Sequence, residues 1–123
     1  MSLAAERKAV AALLTAGGIR TAAHVPSDPK PPLAMVTPGT PYLATRDDYT
    51  GDRVARFDIW LVIGTAISNT ALADAMDERI SEVLAILDGS DWLVYEVSAD
   101  QWEPAGGSKF AVAIISISNT ITP

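Results

Sequence analysis

The stretch RVARFDIWLVIG, residues 53–64, decides the fold. It is dominated by β-branched and aromatic residues, and an extended chain points successive side chains to opposite faces of a sheet. Phe57, Ile59, Leu61 and Ile63 therefore share one face, and Arg56, Asp58, Trp60 and Val62 share the other. The first set is wholly apolar and the second is mixed. Just upstream, Asp47, Asp48, Tyr49, Thr50, Gly51 and Asp52 make a polar, turn-forming segment, which predicts a hairpin with an exposed tip leading into this strand. Leu33 to Val36 is expected as a short strand, with Pro38, Gly39, Thr40 and Pro41 as a turn. Earlier still, residues 19–25 followed by Pro26, Pro29, Pro31 and Pro32 read as an extended connector, because proline cannot sit in a central strand.

Two helices flank this region. Residues 3–16 are rich in Ala and Leu, Leu3, Val10, Leu13 and Leu14 fall at helical spacing, and Gly17 with Gly18 supplies a stop. After the strand, Ser68 and Asn69 are good N-caps for an amphipathic helix that carries Leu72, Met76, Ile80, Val83, Leu84 and Leu87 on one side. Asp74, Asp77, Glu78 and Glu82 line its other side, and Asp88 with Gly89 ends it. Two more strands, Trp92 to Trp102 and Lys109 to Ile117, are joined by the turn residues Glu103 to Gly107 and should pair antiparallel. The order predicts an α+β fold: a mostly antiparallel, four- to five-stranded sheet with two helices packed on one face, in one domain over residues 1–123.

Composition sets the class. About half of the 123 residues are apolar (49%) and 20% are charged, a globular balance far from that of disordered chains. There is no cysteine, which removes disulfides, thiolate metal sites and thiol nucleophiles, and makes a reducing or redox-indifferent compartment the expectation. The first apolar run, Ala9 to Leu14, is too short to span a bilayer and is not shaped like a signal peptide, so no membrane partner is expected. The net charge of −6 is uneven, with seven basic and six acidic groups in residues 1–62 against two basic and nine acidic in residues 63–123. Specific nucleic-acid binding is not expected from such a chain, since a phosphate backbone is gripped by Lys and Arg that displace its counterions.

The second face of the sheet is the unusual feature. If Phe57, Ile59, Leu61 and Ile63 face the helices, the opposite face presents Trp60 and Val62. One face of each C-terminal strand offers Trp92 and Val94, or Phe110, Val112 and Ile114. A sheet open to water on one side alternates apolar and polar residues more cleanly than this. Either the proline-rich connector folds back over that face or another subunit covers it. A stable contact there would bury roughly 600–800 Å² per partner, with a Trp or two near its centre.

Motifs that carry chemistry are sparse. His24 is the only histidine, and one imidazole does not make a zinc site by itself. Asp47, Asp48 and Asp52 lack the alternate-position spacing of a calcium loop and read as a solvated tip. Ser27 and Lys30 match S-x-x-K literally, but that chemistry places both on one helical turn, which Pro29, Pro31 and Pro32 oppose. Neither glycine pair, 17–18 or 106–107, has a phosphate-loop pattern, and there is no G-x-S-x-G. Asp77 with Glu78, and Glu96 with Asp100, are paired carboxylates that read as solvated surface acids. Trp92 and Trp102 are the candidate walls of a ligand pocket, or else core or interface residues. No catalytic, cofactor-binding or metal-binding residue is assigned, and no cofactor is expected.

Taken together, several segments resemble the tail terminator proteins of long-tailed bacteriophages. The likeness runs through the Ala-rich first helix ending at Gly17, Gly18 and Ile19, the proline-rich connector, Pro38 to Tyr42, and the strand Arg56 to Val62. It continues through Ala71 to Asp77 and the acidic helix to the last strand pair with Gly106 and Gly107 between them. It covers nearly the whole chain as a pattern of length and element order, and related neck and minor tail proteins share it. The resemblance implies a non-enzymatic subunit of a ring, usually hexameric, that caps the tail tube, ends its polymerisation and meets the head-completion proteins. It also implies assembly in a bacterial cytoplasm, a final place in the virion tail of a phage or prophage, and DNA that passes through the lumen without being gripped. By the same analogy the tip at Arg46, Asp47, Asp48, Tyr49 and Asp52 is the candidate contact with tube or connector, and Trp60, Val62, Trp92 and Val94 are the candidate ring interface. Two other classes stay open: a small-molecule-binding α+β dimer of ferredoxin-like type, with Trp92 and Trp102 walling its pocket, and an enzyme.

Overall fold

The computed structural model describes residues 3–22, 33–45, 53–65, 70–103 and 109–121. In chain order these form α1 (Leu3–Ala16), β1 (Thr21–Ala22), β2 (Leu33–Thr45), β3 (Arg53–Thr65), α2 (Thr70–Asp88), β4 (Leu93–Trp102) and β5 (Phe110–Ile121). The fold is α+β. Among the described residues the strands lie in the order β1-β2-β3-β5-β4; β1 pairs with β2 in parallel and every other pair is antiparallel. A sheet built mainly from antiparallel neighbours follows from short connections, because a parallel partner needs a long crossover.

α1 ends as its glycines require. Gly18 adopts φ +92°, the Ile19 N–H donates to the Leu14 carbonyl at 3.0 Å and the Gly18 N–H donates to the Thr15 carbonyl at 3.0 Å. These are the two bonds of a Schellman cap, and the hydrophobic contact that goes with it is present, since Leu14 and Ile19 are buried in one cluster. α2 ends differently. Gly89 does not take a positive φ; Ser90 closes the helix instead, its N–H and its hydroxyl both donating to the Leu87 carbonyl, at 2.9 and 2.7 Å. The Ser90 hydroxyl oxygen then accepts from the Trp92 N–H at 3.1 Å, which aims the chain into β4. The expected caps Ser68 and Asn69 lie outside the described residues.

The segment Pro38 to Pro41, expected as a turn, lies inside β2, which runs on to Thr45 and breaks register with β3 between Pro38 and Leu43. Two prolines remove ladder donors there, and the strand tolerates this because β1 pairs only with Ala34 and Met35, leaving the other side of β2 free at that point among the described residues. Gly39 permits the close approach: a Cβ on it would lie 2.8 Å from the Arg56 Cβ and 2.9 Å from the Arg56 carbonyl carbon. β5 also outruns its expected end, pairing with β3 as far as Ile121 opposite Arg53.

The main core unites Val10 and Leu14 of α1, Val83 and Leu87 of α2, and Ala34, Val36, Phe57, Ile59, Leu61, Ala113, Ile115 and Ile117 of the sheet. Met76, Ile80 and Leu84 pack against it, so from Met76 onward the stripe read from the α2 sequence faces this cluster; the Leu72 side chain lies outside the described residues. Phe57 sits among aromatic neighbours, with ring centroids 5.6 Å from Tyr42 and 5.3 Å from Trp92. Each fully buried side chain of this size contributes roughly 1.5–3 kcal/mol relative to exposure, so this cluster dominates stability.

Candidate functional site

Alternate residues of β2, β3 and β5, those whose side chains point away from the main core, build a second cluster. Leu33, Met35, Val62 and Val112 are buried in it, with Ala22, Trp60, Trp102, Phe110 and Ile114 packed around them. Among the described residues, none of α1 or α2 belongs to it. The register explains the grouping: Leu33 stands opposite Val62, Met35 opposite Trp60, Trp60 opposite Ile114, Val62 opposite Val112, and Phe110 opposite Trp102. Cross-strand neighbours on one face are close enough to pack, and here they are nearly all apolar. Three aromatic rings form a row over this patch, Trp60 to Trp102 at 6.3 Å and 78°, and Trp102 to Phe110 at 6.0 Å and 38°. All three are only partly buried, so the row offers apolar area together with indole N–H donors.

Along the same face the chemistry changes. Ser116, buried at 8% exposure, donates its hydroxyl proton to Asp58 Oδ1 at 2.8 Å, and the Thr37 hydroxyl donates to the Asp58 carbonyl at 3.1 Å. The Arg56 guanidinium carbon lies 5.6 Å from the Tyr95 ring centroid, a cation–π distance. Arg56 Nε is buried without a hydrogen-bond partner among the described residues. The face is thus greasy at the end of Leu33, Val62 and Phe110 and polar at the end of Arg56, Asp58 and Ser116. An arrangement of this kind suits docking: an apolar anchor with oriented polar groups beside it.

The expected interface residues separate. Trp60 and Val62 lie in the second cluster, Trp60 half-buried and Val62 fully buried, whereas Trp92 and Val94 pack against the main core beside Phe57. Of the two sets weighed for the C-terminal strands, Phe110, Val112 and Ile114 are the ones that join Trp60 and Val62. Trp102 joins them as well. Trp92 and Trp102 therefore belong to different clusters and do not wall one pocket. The tip residues Arg46, Asp47, Asp48, Tyr49 and Asp52 lie outside the described residues; the strands on either side pair as far as Thr45 opposite Arg53. His24, Ser27 and Lys30 lie outside them too.

A concavity of about 440 Å³ lies where α2 gives way to β4, lined by Leu84, Leu87, Ser90, Trp92 and Val94 among others. A cleft of about 160 Å³ opens at the sheet end between Ile19, Leu33, Leu61 and Ile63, with Arg20 and Arg79 at its rim, and Arg79 is engaged by Glu82 at 2.8 Å. The acids Asp77, Glu78, Glu96 and Asp100 are exposed, and no three His, Asp or Glu side chains gather as a metal site among the described residues. Among those residues no helix is long and apolar enough to cross a membrane. No family model matches the chain, and no curated protein matches it.

Proposed function

We propose that this protein is a structural, non-catalytic assembly subunit of the tail terminator type: it forms a homo-oligomeric ring, a hexamer, that caps a phage tail tube and joins it to the head-completion proteins. Both helices lie on one face of its sheet in this reading, and the other face is left for sister subunits. One observation carries it, the second apolar cluster with its partly exposed row Trp60, Trp102 and Phe110, to which no helix contributes among the described residues. Monomeric proteins seldom leave contiguous apolar patches open, and aromatic residues ringed by polar ones are the usual anchors of an interface. The acidic balance of the chain fits a lumen through which DNA slides, because like charge repels phosphate. A virion location, after assembly in the bacterial cytoplasm, follows from the same reading.

A pocket for a small molecule between Trp92 and Trp102 has no support in the placement of those residues, which weighs against the ferredoxin-like dimer. Light scattering after size exclusion is the test, with an expected particle near six times the 13.0 kDa chain mass. Added to polymerising tail-tube protein, that particle should shorten the tubes in proportion to its concentration. An oligomer that leaves tube length unchanged refutes the capping role, and a protein monomeric both alone and on tubes refutes the ring.

A further inference from the structure

The two borders of the sheet are unlike each other. One is β1, two residues long and parallel to β2; the other is β4, ten residues long, with no strand on its outer side among the described residues. β4 is exposed along most of its length, with Val94 and Trp102 its partly buried residues: Leu93, Tyr95 and Val97 are 66%, 44% and 40% exposed. A long border strand with exposed apolar side chains presents a row of unpaired backbone groups that recruits another chain. A bulge between Val94 and Glu96, together with the charges of Glu96 and Asp100, is the kind of device that blunts such a border. Those features select the partner rather than exclude one: across the bulge Leu93, Glu96 and Asp100 share the face of the second cluster and Val97 takes the other, so an edge-on contact meets apolar and acidic side chains together.

Charge identifies that partner. Residues 91–103 hold Asp91, Glu96, Asp100 and Glu103 and no basic group, whereas residues 3–22, which supply β1 at the other border of the sheet and α1 beside β1 and β2, hold Arg7, Lys8 and Arg20 against Glu6. Lys8 and Arg20 are exposed. Two β4 strands meeting about a two-fold axis would bring four carboxylates together, with Asp91 and Glu103 of each copy flanking them, which like-charge repulsion opposes. Meeting the α1–β1 side of another copy brings acid to base.

We infer that β4 of one copy packs on the α1–β1 side of the next, head to tail, with Leu93, Tyr95 and Val97 as the apolar contact and Glu96 and Asp100 facing Lys8 and Arg20. Contacts of this heterologous kind repeat from copy to copy and close into a ring when the rotation allows. The inference rests on the self-assembly part of the proposed function and is independent of its tube-capping part.

The test uses the full chain and charge reversal. E96K/D100K and K8E/R20E should each lower the self-association constant about tenfold or more, with circular dichroism melts checking that each variant is folded. Mixed in equal amounts, the two should recover the wild-type mass, since every contact between unlike variants again joins opposite charges and a ring of alternating copies contains only such contacts. Wild-type association by folded E96K/D100K, or two folded variants that fail to recover on mixing, overturns the inference and leaves a ring built through another surface. A wild-type protein that stays monomeric overturns it together with the self-assembly reading.

Discussion

The two faces of one sheet are built from alternate residues of the same strands, yet they do different work. On one face Phe57, Ile59 and Leu61 meet Val10, Leu14, Val83 and Leu87 of the helices and are fully or nearly fully buried. On the other, Trp60 and its neighbours Trp102, Phe110 and Ile114 remain only partly buried around a smaller group. The first face spends its apolar area inside the protomer and sets stability. The second keeps part of its apolar area exposed, and in the proposed reading that area meets a partner. Since hydrophobic stabilisation follows the area removed from water, the same substitution chemistry should read out as folding on one face and as association on the other.

The largest expected effect breaks or keeps that comparison directly. Phe57→Ala removes a fully buried ring and should cost about 3–5 kcal/mol of unfolding free energy in urea titrations, enough to unfold many domains of this size. Trp60→Ala should cost about 2 kcal/mol or less in the isolated protomer, because the ring is already part-exposed, while weakening self-association by about 2 kcal/mol or more. Equal losses of protomer stability at the two positions would mean that both faces are core, and the interface reading would go.

The sequence makes one face far more readable than the other, and the reason is local. β3 and α2 announce themselves because a period of two and a period of 3.6 are each sustained over several turns of the pattern, with apolar residues at every position that ends in the main core. β4 does not. Trp92 and Trp102 are an even number of residues apart, so an unbroken strand would put them on one face, but the bulge between Val94 and Glu96 inserts one residue and reverses the parity. Val94 thus faces Ile117 on the core side while Trp102 faces Phe110 on the other. No residue between Val94 and Glu96 is a glycine or proline, so composition gives no mark of the irregularity. The opposite error occurs in β2, where Pro38, Gly39 and Pro41 carry strong turn chemistry and yet the strand continues. There the neighbouring strand, not local preference, decides.

That β2 irregularity gives the second prediction, of intermediate size, because it ties the two faces through one backbone contact. Gly39→Ala puts a methyl group against main-chain atoms of Arg56, 2.9 Å from its carbonyl carbon and 3.0 Å from its carbonyl oxygen, and a backbone cannot rotate away as a side-chain tip can. Overpacking of this kind should cost about 1–3 kcal/mol. Amide exchange should quicken along the Arg56 end of β3 before it changes near Leu61, a sequence of opening that a global loss of stability would not produce.

The smallest effect tests where the proposed contact area stops and internal structure begins. Ser116 is buried on that face and gives its hydroxyl proton to Asp58, whereas Asp58 is only half-buried. Ser116→Ala deletes the donor, and because water reaches a half-exposed carboxylate the replacement bond is at hand, so the loss should stay near 1 kcal/mol with an unchanged denaturant slope. The Thr37 bond goes to the Asp58 carbonyl rather than to the carboxylate, and therefore survives the substitution. A loss of 3 kcal/mol or more would place the Asp58 carboxylate in a dry setting, where an unpaired acceptor is expensive. The polar half of the face would then be a second core, and only the aromatic row at the other end would be left to meet a partner.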